Sequence, residues 1–187
     1  MPYDVIVLGD SLTYIGRDRL RAAVTAAGWR VLIDGKSGRS IDYPSDLQYS
    51  ALAKVSDLRA AGLDAQTWIV ALGTNDLYFL VNCKCPDPRA AAVERIRSLL
   101  RAIGAGHRIV WVGPQNFSYT DMTALFNGVL QELVASGEIS SVVDWETLSA
   151  AHRLDYFNDN AHLSAAGYDI WVPAITASLG PLPPSPD

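Results

Sequence analysis

Ser11, in the run Gly9-Asp10-Ser11-Leu12, and His162, in Asp159-Asn160-Ala161-His162, stand near opposite ends of a 187-residue chain. A hydroxyl, an imidazole and a carboxylate are the parts of a nucleophile activated by an oriented base. His162 follows Asp159 by three residues. One turn of that length can bring the carboxylate to the imidazole Nδ1, fix its tautomer and stabilise the imidazolium. Between the two ends lie Gly38 and the run Gly73-Thr74-Asn75-Asp76, which add hydrogen-bond donors. Together these are the parts of a serine hydrolase. The order Ser…Asp…His, with the last two so close, differs from the chymotrypsin and subtilisin arrangements.

Each motif also has a plainer reading. Gly9-Asp10-Ser11 alone is a strand-to-helix turn in which Asp10 or Ser11 satisfies free amides. Its place after the first strand of a chain that ends in Asp-x-x-His favours the chemical reading. There the Ser11 N–H, at a helix N-terminus, points toward developing negative charge. Asp144 and Asp155 are rival carboxylates for His162; Asp144 is expected to cap the turn after it. His107 and His152 are expected at the surface. Asn75 and Asp76 commonly close turns, and Asp76 is expected to cap locally. Gly35-Lys36-Ser37 is not a phosphate loop: Arg30 stands where the first glycine is needed, and residues 39–44 read as loop. The Gly-x-Ser-x-Gly nucleophile elbow is absent from the sequence.

The elements that must position these groups alternate along the chain. Apolar runs at 3–8, 31–33, 67–72, 108–112 and 139–143 read as strands. A helix with Leu20, Val24 and Ala27 on one face stops at Gly28. Residues 45–61 are helical in character. Residues 88–103 put Ala92, Ile96, Leu99, Leu100 and Ile103 on one face, with Arg95, Arg97 and Arg101 largely opposite. Thr120 is expected to cap a helix carrying Leu125, Phe126, Val129, Leu130 and Leu133 inward. A last helix runs from near 164 to about 178. Five strands alternating with helices imply an α/β fold: a three-layer, doubly wound sandwich around a five-stranded parallel, flavodoxin-like sheet. Ser11, Gly38 and Asn75 then follow strands one, two and three, and Asp159 and His162 follow strand five. All lie beyond the carboxyl ends of strands, where such folds bind ligands.

Composition narrows the partners. Fifteen Lys and Arg against twenty Asp and Glu give a net charge of -5, which argues against a nucleic-acid surface. No apolar stretch is long enough for an integral membrane segment. No leader is visible. The chain is therefore expected to be cytoplasmic if complete as given, and secreted if a leader was removed. Cys83 and Cys85, separated by Lys84, are expected to be two loop thiols; zinc spacing is absent. The sequence does not indicate an oligomeric state.

The four runs, in this order, resemble the SGNH hydrolases, the GDSL-type esterases and lipases, from Val5 to about Trp171. The resemblance implies one hydrolase domain over residues 1–180, with a Pro-rich tail at 181–187. It implies Ser11, His162 and Asp159 as a triad, with no metal or cofactor. It gives the oxyanion hole to the Ser11 amide, the Gly38 amide and the Asn75 side chain; Gly35 is the alternative to Gly38. Asn160 stands where the family frequently has Gly. The stretch from Asp144 to His162 also looks like domains that act on O-acetylated carbohydrate. The implied substrate is a small-molecule or carbohydrate ester of a small or medium acyl group. A lysophospholipase or thioesterase, an O-acyltransferase with the same site, and a non-catalytic binding module are the alternatives. Apolar residues 77–80, with Tyr43, Tyr49 and Phe117, are expected to line a shallow acyl cleft.

Overall fold

The computed structural model describes residues 2–83 and 85–182. The Pro-rich tail lies outside them from residue 183 onward. Strands β1 (Val5–Gly9), β2 (Val31–Gly35), β3 (Thr67–Ala71), β4 (Arg108–Val112) and β5 (Ser141–Val143) form one parallel sheet in the order β2-β1-β3-β4-β5. This is the expected doubly wound, flavodoxin-like order, and the chain reverses its direction of winding between β1 and β3. Helices α1 (Ser11–Ala26), α2 (Ala51–Ala60), α3 (Thr74–Asn82), α4 (Pro88–Ile103), α5 (Thr120–Ala135), α6 (Trp145–Ser149), α7 (Arg153–Tyr156) and α8 (Ala165–Ser178) complete the chain.

Both faces of the sheet are covered, so the inner strands β1, β3 and β4 are largely apolar and buried rather than alternating, while the edge strands β2 and β5 are only partly buried. Ile6 and Leu8 of β1 face a core built with α2, α3, α4 and α5, including Val55, Leu77, Ile96 and Phe126. Val5 and Val7 face the opposite core, with Leu20 and Val24 of α1 and Trp171 and Ile175 of α8. Each fully buried aliphatic side chain contributes roughly 1.5–3 kcal/mol. In α1, Gly16 gives the Tyr168 ring its place, since a Cβ there would lie 2.5 Å from it. Tyr168 in turn donates its hydroxyl to Leu12 O at 2.9 Å, tying α8 to the start of α1.

Several boundaries differ from the sequence reading. Residues 45–61 are not one helix. Asp46 caps a single 3-10 turn, Leu47–Tyr49, and extended Ser50 then caps α2 through Ala53 N–H. Thr120 does not cap α5; it is the first helical residue, behind Tyr119. Strand β2 runs on to Gly35, which pairs with Gly9. Strand β5 starts at Ser141, because Ile139 N–H turns back to Leu133 O. Cys83 and Cys85 are not free thiols but a disulfide. The turn after α3 brings their Cα atoms to 5.1 Å, inside the range that a disulfide spans. Among the described residues no helix is long and apolar enough to cross a membrane.

Candidate active site

Strand β1 ends at Gly9 and the chain turns directly into α1. Asp10 is the N-cap, and its Oδ1 accepts the Leu12 N–H at 3.0 Å. Ser11 is therefore the first helical residue, with its amide unused by the helix. Burial pushes the Asp10 carboxyl up to about 6; the nearby Asp76 carboxylate adds to this, while the Leu12 amide, Thr74 hydroxyl and His162 imidazole oppose it.

The other half of the site sits on the connection between α7 and α8. Phe157 and Leu163 bridge in antiparallel fashion, and Asn158 N–H donates to His162 O at 2.8 Å. At the tip of this small hairpin, Asp159 Oδ1 accepts the amides of Ala161 and His162 at 2.7 and 2.6 Å. Its Oδ2 lies 2.7 Å from His162 Nδ1, and His162 Nε2 lies 3.1 Å from Ser11 Oγ. Partial burial raises the Asp159 pKa, but the two amides and the imidazole outweigh it and hold the carboxyl below the usual range. An ionised carboxylate only accepts, so Nδ1 carries the proton and Nε2 is left to accept from the Ser11 hydroxyl.

The rival groups lie elsewhere. Asp144 caps α6 through the Thr147 amide at 3.0 Å. Asp155 stands 3.7 Å from His152. His107 is not a surface residue: it is half-buried, bonded to Ala65 O at 3.1 Å and edge-on to Trp68.

Two of the three candidate oxyanion donors sit beside a cleft of about 530 Å³. Gly38 and Asn75 line it together with Tyr43, Tyr78 and Phe79. Gly38 has φ +77°, a backbone region that favours glycine. Among the described residues neither the Gly38 nor the Ser11 amide has an acceptor. Asn75 Nδ2 donates to Arg39 O at 2.8 Å. Gly35 has a different task. A Cβ there would lie 2.4 Å from Tyr14 N, so its absence lets α1 pack on the end of β2. Tyr49 and Phe117 do not line this cleft. Tyr49 borders a second, more polar hollow with Lys36 and Gln48, and Phe117 packs on Phe157 at 5.0 Å.

The model of the GDSL-like lipase/acylhydrolase family matches residues 7–170. The chain belongs to that family. It is accordingly a hydrolase of the esterase type. No curated protein matches the chain. Among solved structures, a carbohydrate acetylesterase from Sinorhizobium meliloti is 20% identical, with a TM-score of 0.66 over 94% of this chain and 97% of that one. A catalytic mutant of an acetylxylan esterase from Geobacillus stearothermophilus is 17% identical, with a TM-score of 0.68 over 96% and 95%. The C-terminal catalytic domain of peptidoglycan O-acetyltransferase A from Streptococcus pneumoniae is 15% identical, with a TM-score of 0.69 over 96% and 93%. At these identities the likeness is one of fold.

Within this esterase three supports escape sequence reasoning. Asn160, where the family frequently has Gly, ties the hairpin tip down: its O accepts Phe117 N–H, its Nδ2 donates to Ser118 Oγ, and its Oδ1 accepts from Arg153. Asp76 is not a local cap. It receives the Ile41 amide and the Arg95 guanidinium, from residues far along the chain. Helix α3 itself begins at Thr74, behind Gly73, without a side-chain cap to announce it.

The site carries a pH prediction. With Asp159 ionised, the hydroxyl is activated only while His162 is neutral. Turnover should rise with pH and then level off, because only a neutral imidazole can take the Ser11 proton. Asp10, its carboxyl raised to about 6, also changes charge as pH rises. The rise should therefore persist in Asp10→Asn, which keeps an acceptor for Leu12 N–H. A flat profile in both proteins, with chemistry limiting, contradicts this role for His162.

Proposed function

We propose that the protein is a serine esterase that removes a small acyl group from an alcohol, through an acyl-enzyme. The observation that carries the reading is the unbroken chain from Ser11 Oγ through His162 to the Asp159 carboxylate. His162 Nε2 takes the Ser11 proton as Oγ attacks the ester carbonyl carbon. The carbonyl oxygen becomes an oxyanion, held by the Ser11 and Gly38 amides and the Asn75 side chain. As the tetrahedral species collapses, the C–O bond to the alcohol breaks and His162 returns the proton to the leaving oxygen. Water, deprotonated by the same imidazole, attacks the acyl-enzyme and releases the acid and Ser11. No step calls on a metal or cofactor.

A short acyl group suits the cleft. Its rim is open, with Tyr78 60% exposed and Phe79 41% exposed. An extended chain would leave methylenes in water and gain little of the roughly 0.8 kcal/mol that each contributes when buried. Open aromatic faces beside polar groups suit a carbohydrate as the alcohol. The likeness in fold to an acetylxylan esterase and a carbohydrate acetylesterase points the same way. The O-acetyltransferase domain favours a second reading, in which an alcohol rather than water takes the acyl group from Ser11.

A panel of p-nitrophenyl esters, run beside acetylated sugars, tests the proposal. Acetyl to butyryl esters should show higher kcat/KM than esters of ten or more carbons, and acetylated sugars should be deacetylated. A steady rise of kcat/KM up to long chains, below micelle formation, would overturn it in favour of a lysophospholipase or thioesterase.

A further inference from the structure

Arg39 is a cation with only 3% of its surface exposed, and burying a charge is costly unless it is paired and bonded. Its Nη1 donates to Gly9 O at 3.0 Å and to Asp34 O at 2.8 Å. Its Nη2 donates to Asp34 Oδ1 at 2.6 Å, and Lys54 Nζ holds the other oxygen of that carboxylate at 2.9 Å. Gly9 closes β1, two residues before Ser11, and Asp34 lies next to the end of β2. One guanidinium thus locks together the carboxyl ends of two strands. The main chain of the same residue follows Gly38, and its carbonyl accepts Asn75 Nδ2 at 2.8 Å.

We infer that Arg39 is the positioning residue of the oxyanion hole, fixing the Gly38 peptide and the Asn75 amide relative to Ser11. The inference rests on the proposed role of Asn75 as an oxyanion donor. An Asn amide carries two N–H groups. With one committed to Arg39 O, the amide plane is set and the other is left for substrate oxygen. Donors aimed in advance need no reorganisation as charge develops. Gly38, at positive φ, is held from its C-terminal side because Arg39 cannot move without breaking its fork. A lysine ammonium lacks the planar fork that reaches Gly9 O, Asp34 O and Asp34 Oδ1 together. The effect should fall on the transition state, and therefore on kcat rather than KM.

The test is a double-mutant cycle on p-nitrophenyl acetate with Arg39→Lys, Asn75→Ala and the double variant, each checked for folding by thermal melting. Asn75→Ala should lower kcat by about 10²–10³-fold, the effect of losing one oxyanion donor. Arg39→Lys should lower kcat by about tenfold or more with KM within about threefold, and should cost clearly less in the Asn75→Ala background, where only the Gly38 peptide remains for it to position. Asp34→Asn, which weakens the Nη2 anchor but keeps its shape, should lower kcat in the same coupled way and serves if Arg39→Lys does not fold. Losses that multiply independently, a change in KM alone, or wild-type kcat in folded Arg39→Lys overturn the inference. Wild-type kcat in Asn75→Ala overturns the role of Asn75 itself, and so separates the two failures.

Discussion

Ser11→Ala should abolish ester turnover and leave the fold in place. The substitution removes one oxygen, and with it the hydrogen bond to His162 Nε2. It keeps the helix-starting amide, the Asp10 cap and the packing of α1. Removing the nucleophile of an assembled triad costs about 10⁶-fold in kcat in a well-studied serine protease, because the remaining members then have nothing to activate. A loss of at least about 10⁴-fold is expected here, at an unchanged melting temperature. Wild-type turnover by the purified variant would remove Ser11 from the mechanism.

Asp76→Ala should have the largest effect on stability. Asp76 is 0% exposed and the Arg95 side chain 10% exposed, with Arg95 Nε and Nη2 at 2.9 and 2.7 Å from Asp76 Oδ1. Burial holds the Asp76 carboxyl above its usual range, against the opposing pull of Arg95 and the Ile41 amide. A raised carboxyl pKa means that its ionised form is disfavoured by folding, so its contribution to stability declines as pH rises through that pKa. The pair is a tether that joins α3, α4 and the loop at Ile41 rather than a net source of stability. Taking away one partner leaves a buried cation without its counter-ion, which costs about 3–5 kcal/mol. For a chain of this size that is a fall in Tm of roughly 6–20 °C. A Tm within about two degrees of wild type contradicts the tether.

What was legible in the sequence follows from what is local. The apolar runs of β1, β3 and β4 mark buried strands because both faces of the sheet are covered, and their alternation with helices led to the parallel order. Ser11, Asp159 and His162 stood out by residue type and spacing, and the structure brings Ser11 and Asp159 each within hydrogen-bond distance of His162. Helix α3 did not stand out, because Gly73-Thr74-Asn75-Asp76 carries turn chemistry and its first turn has no side-chain cap. The break at Ser50 was hidden within a helical pattern that continues on both sides. The sequence offers Gly38 as the donor, with Gly35 as its alternative. The pairing of Gly35 with Gly9 gives one of them to strand packing, and Gly38 lines the cleft with Asn75. The tethers at Asp76 and Arg39 were invisible because their partners come from other elements, and no local pattern encodes contacts such as Asp76 with Ile41 or Arg39 with Gly9 and Asn75.

The most direct test of the central claim is labelling with a fluorophosphonate, followed by peptide mapping. The probe reports whether one serine is activated, whatever the natural ester. The account predicts one adduct per chain, on the peptide that contains Ser11, formed in step with the loss of esterase activity and absent from Ser11→Ala. Full activity retained by a chain that the probe does not label, or an adduct on another serine that tracks the loss of activity, would contradict it.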